Sequence, residues 1–163
     1  MPEREKLSLE DFALSSTQDR QYAYFAITSD TPLPEDIEKL PLRPSRYWNA
    51  GDKVVRGRIE FERTFSRWAF ESGLRETDPL EEHIESLLRK LLPVFGQLEQ
   101  LPADCKQSVV CVTFSVQCSG FILEPAILKQ LAKFNLHLEY DFYSNVDPHD
   151  ELADLRSLVP REC

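Results

Sequence analysis

His137, Glu139 and Asp141 are the first residues in this chain whose types and spacing suit chemistry. On a strand, a spacing of two sends all three side chains to one face. There they could hold a divalent metal or exchange protons. The wet face of an amphipathic strand needs the same alternation, and that plainer reading is preferred. Glu60 and Glu62 also share a face, but Arg56 and Arg58 continue the row. Ion pairing on an exposed sheet explains them better than acid–base work. His83 falls in the first turns of an acidic helix start and is expected on the surface; His149 lies in the tail.

The four cysteines, Cys105, Cys111, Cys118 and Cys163, form no C-x-x-C pair. Structural zinc and dithiol redox chemistry are therefore not expected. Reduced thiols used as small hydrophobes fit better, with Cys111 and Cys118 on opposite faces of one strand. The glycines at 51, 57, 73, 96 and 120 are scattered, so no phosphate-cradling loop is present. A nucleophile elbow and a His-Glu-x-x-His pair are also missing. The expectation is no catalytic residue, no metal and no cofactor, which leans away from an enzyme.

Binding is the better prospect. Between 43 and 75 stand eight basic side chains and four acidic ones, a local +4 in a chain of net −9, so the remainder carries −13. Tyr47, Trp48, Phe61, Phe65, Trp68 and Phe70 are interleaved with the arginines. Such a surface can stack and neutralise nucleic acid, but the acidic remainder repels phosphate, and nucleic acid is not the expected partner. Phe61, Phe65 and one tryptophan are expected in the core. Arg43, Ser45 and Arg46 could hold an anion beside an apolar wall of Trp48 and Trp68. Asp141 and Tyr143 join them if the last strand pairs nearby.

The elements that must position these residues follow from periodicity. Arg20–Ser29 alternates as a strand, Pro34 opens a short helix that Pro41 ends, and 42–52 reads as a loop. Val54–Glu71 holds two strands whose parity flips near Ser66–Arg67, with Gly57 near a connection. Asp78-Pro79-Leu80-Glu81 predicts an N-cap, followed by a stripe of Leu80, Ile84, Leu87, Leu88, Leu91 and Leu92 that Pro93 kinks. Gln107–Cys118 is a strand with Val110, Val112, Phe114 and Val116 on one face. Pro125 opens a helix with Ile127, Leu128, Leu131 and Phe134 inward and Asn135 as its C-terminal cap. Leu136–Tyr143 is the last strand. The order β-α-β-β-α-β-α-β predicts an α+β fold: a largely antiparallel sheet of about five strands, helices on one face, and a ferredoxin-like core. Residues 1–19 read as an arm, 20–145 as one domain, and 146–163 as an acidic tail or short docking helix. With no apolar run near the ~18 residues of a spanning helix, no membrane role is expected, and the leaderless N-terminus places the protein in the cytoplasm.

Tyr22–Ser29, Pro34-Glu35-Asp36-Ile37, Leu42-Arg43-Pro44-Ser45, Trp48, Gly51-Asp52, Trp68, Leu80-Glu81-Glu82-His83-Ile84 and Tyr140-Asp141-Phe142-Tyr143 carry a likeness. Over about residues 20–145 the chain resembles the bacterial proteins grouped as domain of unknown function 4279. Pro41 stands where that family usually has glycine, so the first helix must stop differently. The resemblance implies a bacterial, cytosolic, single-domain protein and supplies no catalytic residues. The expected function is a non-catalytic binding protein that recognises a basic partner, as small acidic immunity proteins do, through its acidic remainder. The alternative is a sensor or enzyme with an anionic-metabolite site around the 43–52 loop and Trp68. The sequence leaves homodimerisation open.

Overall fold

The computed structural model describes residues 19–116 and 120–144. Cys118, Cys163, His149, the arm and the tail lie outside the described residues. The strands are β1 (Arg20–Ser29), β2 (Arg46–Trp48), β3 (Lys53–Arg56), β4 (Ile59–Glu62), β5 (Ser66–Glu71), β6 (Lys106–Ser115) and β7 (His137–Ser144). The helices are α1 (Leu80–Leu91), α2 (Phe95–Leu98) and α3 (Pro125–Lys133), with 3-10 turns at Glu35–Lys39 and Leu92–Val94. Five strands form one sheet in the order β2-β5-β1-β6-β7, and β3-β4 is a separate hairpin. Only β6 and β7 pair in parallel. The fold is thus α+β with a mostly antiparallel sheet.

The strand order differs from a ferredoxin-like core, which interlocks two split β-α-β units. One is present: β5 and β6 run parallel with β1 between them, and α1 joins them. That arrangement uses both edges of β1, and β2 takes the outer edge of β5. The free edge of β6 is left for β7, which lies directly beside it after α3.

Alternation divides each central strand between two layers. Ala23, Phe25 and Ile27 of β1, Trp68 of β5, and Val109 and Cys111 of β6 join Ile84, Leu87, Leu91, Ile127, Leu131 and Phe134 in the main core. Tyr24, Ala26, Ala69, Val110 and Val112 form a smaller cluster on the opposite face, with Tyr22 and Phe114 beside it. We call this the open face, because the helices among the described residues all pack on the other side.

The parity flip has a simple cause. Arg56 and Ile59 flank the turn that Gly57 makes at φ 62°, and β4 then ends before β5 joins a different sheet. Two features differ from expectation at α1. Its first-turn neighbour is Pro79, and no side chain caps the helix; Asp78 instead accepts from the Arg75 backbone and guanidinium, 2.9 Å each. His83 is fully buried, not on the surface. It can be buried because both ring nitrogens have partners: Ser72 Oγ at 2.5 Å from Nδ1, and the Arg75 carbonyl at 3.1 Å from Nε2. A carbonyl only accepts, so Nε2 carries the proton and Nδ1 accepts from the Ser72 hydroxyl. In α3, Leu128 is turned outward and half exposed, while Ile127, Leu131 and Phe134 are buried as expected.

Candidate functional site

The short strand β2 lies inside the segment read as a loop. Its register sets Arg46 opposite Ala69, Tyr47 opposite Trp68, and Trp48 opposite Arg67. Directly opposed residues point to the same side of a sheet. Arg46, Trp48 and Arg67 therefore share the open face, and Tyr47 and Trp68 share the helix-covered one.

Ser66 holds this end in place. Its buried hydroxyl donates to the Thr31 carbonyl at 2.7 Å and accepts from Ala50 N–H at 2.8 Å. Asn49 N–H donates to the Asp52 carboxylate at 2.7 Å, and its own side-chain oxygen accepts from Leu33 N–H at 2.9 Å. Gly51, at φ 88°, lets the chain turn back so that its N–H reaches the Arg63 carbonyl at 2.8 Å. Arg63 N–H returns a bond to the Asp52 carbonyl at 2.9 Å. These links bring Arg63, which follows β4, against Trp48.

The result is a basic and aromatic cluster. The Arg63 guanidinium lies 4.4 Å from the Trp48 ring, and that of Arg67 lies 5.8 Å from it and 5.4 Å from Phe65. Trp48 meets Phe65 edge-on at 5.8 Å. Arg46 lies 5.3 Å from the Tyr24 ring. Burial pushes the Tyr24 phenol up, while the charges of Arg67 and Arg46 pull it back. Among the described residues, no carboxylate comes within 4 Å of Arg46, Arg63 or Arg67. Trp48 Nε1, Arg63 Nε and Arg67 Nε are buried N–H donors with no acceptor among the described residues. At its other side Arg46 borders an open cleft of about 240 Å³, lined also by Arg20, Tyr22, Glu71 and Ser72.

The residues expected from sequence separate into four groups. Arg46 and Trp48 are in this cluster. Trp68 is 1% exposed and packs edge-on against Phe25 at 6.3 Å. It is a core residue on the covered face, and the apolar wall comes from Phe65 and Tyr24 instead. Arg43 is exposed on the approach to β2, and Ser45 latches the strand, its N–H and hydroxyl both donating to the Ala69 carbonyl at 2.8 and 3.2 Å. Asp141 and Tyr143 do face the open side, opposite Val112 and Phe114. They stand on the far edge strand, four inter-strand steps of ~4.8 Å from β2, so they cannot touch the same small ligand as Arg46. Tyr143 stacks on Phe114 at 4.9 Å, and Arg20 lies 4.2 Å over the same Phe114 ring. Phe61 and Phe65, expected in the core, are only half-buried and serve as ring faces for Arg56, Arg63 and Arg67.

Arg63 and Arg67 are the functional residues that sequence reasoning missed. The flipped parity at Trp68 and Phe70 already put Arg67 on the opposite face, but Arg63 reaches the cluster only through the loop closure.

Glu139 completes the picture at the far edge. It accepts from Lys106 at 2.7 Å and from Ser108 at 2.7 Å, and the first of these contacts is the main reason its carboxyl is held below the usual carboxylate range. His137, Glu139 and Asp141 face the same side, as their spacing predicts. Among the described residues, no group of three His, Cys, Asp or Glu side chains is placed to hold a metal ion. No helix among them is long and apolar enough to cross a membrane.

No curated protein and no solved structure matches the chain. The family model described as domain of unknown function DUF4279 matches residues 19–145, most of the chain, and the chain belongs to that family.

Proposed function

We propose that this is a non-catalytic binding protein of the cytosol that takes a small anionic ligand at the Arg46–Trp48–Arg63–Arg67 cluster. The observation that carries the reading is the chemistry of the unpartnered groups. Trp48 Nε1, Arg63 Nε and Arg67 Nε are donors only, all buried and all unsatisfied. A buried unmade hydrogen bond costs about 1–3 kcal/mol, and no carboxylate among the described residues comes within 4 Å of Arg46, Arg63 or Arg67, so the outer guanidinium groups of the cluster favour an acceptor-rich partner. Carboxylates and phosphates supply acceptor oxygens and match the planar guanidinium fork. The rings of Trp48, Phe65 and Tyr24 exclude water on one side, which strengthens each polar contact. Free Cys105 and Cys111 fit a reducing compartment.

The test is a thermal-shift screen of mono- and dicarboxylates and phosphate esters on the full chain. A ligand at 100 times its Kd should add ~2.7 kcal/mol of stability. Arg67→Ala and Arg63→Ala should lose that shift while remaining folded. If no anion stabilises the wild-type chain, and protein purified from its own host carries no anion by native mass spectrometry, the reading is wrong.

A further inference from the structure

The two edges of the sheet are unlike each other. β2 is three residues long, follows Pro44 and carries Arg46, all features that discourage a further strand. At the other edge β7 runs for eight residues, His137–Ser144, without proline, glycine, lysine or arginine. Its register with β6 is unbroken from Ser108↔His137 to Ser115↔Ser144, so no bulge twists the edge away. Among the described residues β7 has β6 as its one strand neighbour, so no further ladder runs along the outward side of residues 137–143.

Its side chains form two rows. Leu138, Tyr140 and Phe142 face the helix side and are 38%, 37% and 42% exposed. Phe121 meets Tyr140 at 5.3 Å and floors that row. His137, Glu139, Asp141 and Tyr143 face the open side. Glu139 is engaged by Lys106 and Ser108, whereas Asp141 has no ion pair among the described residues.

We infer that β7 is a docking edge for an extended segment of a basic partner protein, which joins the sheet as a further strand. Backbone hydrogen bonds to β7 supply affinity, and alternate side chains supply selectivity. A Lys or Arg of the incoming strand meets Asp141, and the residues on either side of it cover Leu138, Tyr140 and Phe142. A second copy of this chain is disfavoured by charge. The two longest two-fold-symmetric antiparallel registers of β7 on itself, which keep the helix layers of both copies on one side, place Asp141 against Glu139 or against another Asp141, and like charges directly opposite destabilise a pair. The −13 carried outside residues 43–75 steers a basic partner toward the molecule. This inference rests on the β7 edge and not on the arginine cluster of β2, β5 and the loop before β5.

A fluorescent ten-residue peptide alternating lysine with valine, titrated into the full chain at low salt, tests it by anisotropy. The expected result is saturable, salt-sensitive binding. It should weaken about tenfold or more with Asp141→Lys, while the anion-induced thermal shift persists in that variant, so that failure of the docking edge is separable from failure of the anion site. A peptide N-methylated at every residue keeps its charge but has no backbone N–H left for a ladder on either edge, and it should not bind. Absence of binding by the alternating peptide would overturn the inference. Equal binding of the N-methylated peptide or of a scrambled one would also overturn it, by reducing the contact to charge alone.

Discussion

Ser72 shows how much one hydroxyl can hold. It donates to His83 and accepts from Leu74 N–H at 3.3 Å, while its carbonyl accepts from Ser86 Oγ at 3.0 Å and from Lys90 Nζ. Removing the hydroxyl leaves His83 Nδ1 buried with no donor, and a group of that kind costs about 1–3 kcal/mol. Ser72→Ala should therefore lower the urea-derived stability by roughly that amount, far more than an exposed Ser→Ala change. Glu139 makes a smaller, pH-dependent contribution. Its carboxyl titrates below the ordinary glutamate value in the native state, chiefly because Lys106 bonds to the ionised form. Such a group stabilises the fold above its unfolded pKa and loses that contribution as pH falls through the native value. The pair is substantially exposed, so its worth at neutral pH is at most about 0.5 kcal/mol. Glu139→Gln should flatten the acid limb of a stability–pH profile below the ordinary glutamate pKa of about 4.3 and scarcely alter the neutral plateau.

The end of α3 depends on a single backbone conformation. Asn135 sits at φ 51°, Leu136 N–H donates to the Leu131 carbonyl, and Asn135 N–H donates to that of Ala132. This is the Schellman arrangement, and it turns the chain directly into β7. Asn135→Ala should cost about 1 kcal/mol in thermal or urea melts, and Asn135→Gly should be close to neutral, because only the former meets the left-handed penalty. This cap was legible in the sequence, as were β1, α1 and the strand faces of β6 and β7, since each depends on local periodicity. β2 was not, because three residues are too few to show alternation and their pairing with β5 is a non-local choice. The burial of His83 was hidden for the same reason: Ser72 and Arg75, its partners, precede the helix in the chain. Half of the anion cluster, Arg46 and Trp48, was in view. Arg63 entered only through the bonds that Asp52 and Gly51 make across the loop, and Trp68 left because β5 turns it toward the helices.

The whole molecule is a sheet with two unequal sides, and adjacent residues of β6 can compare them. Val109 is fully buried beneath the helices, and Val110, 3% exposed, lies in the small open-face cluster. Burial alone would assign the two valines the same worth, since each removes a similar area from water. Their surroundings differ. Val109 is enclosed by sheet and helices, so truncation to alanine leaves a space that the packed layers cannot close, adding a cavity cost to the transfer cost. Among the described residues, the open-face neighbours of Val110 are side chains without a helix over them: Tyr24 and Glu139 directly opposite, and Ala26 and Val112 beside it. Those side chains can settle by rotamer changes, with little strain on the backbone. Val109→Ala should therefore cost about 2–3 kcal/mol and Val110→Ala about 1 kcal/mol, measured by urea unfolding with unchanged m-values. Equal losses would mean that the open face is closed over as firmly as the helical one, which would leave its arginines and its β7 edge much less free to receive a ligand or a strand.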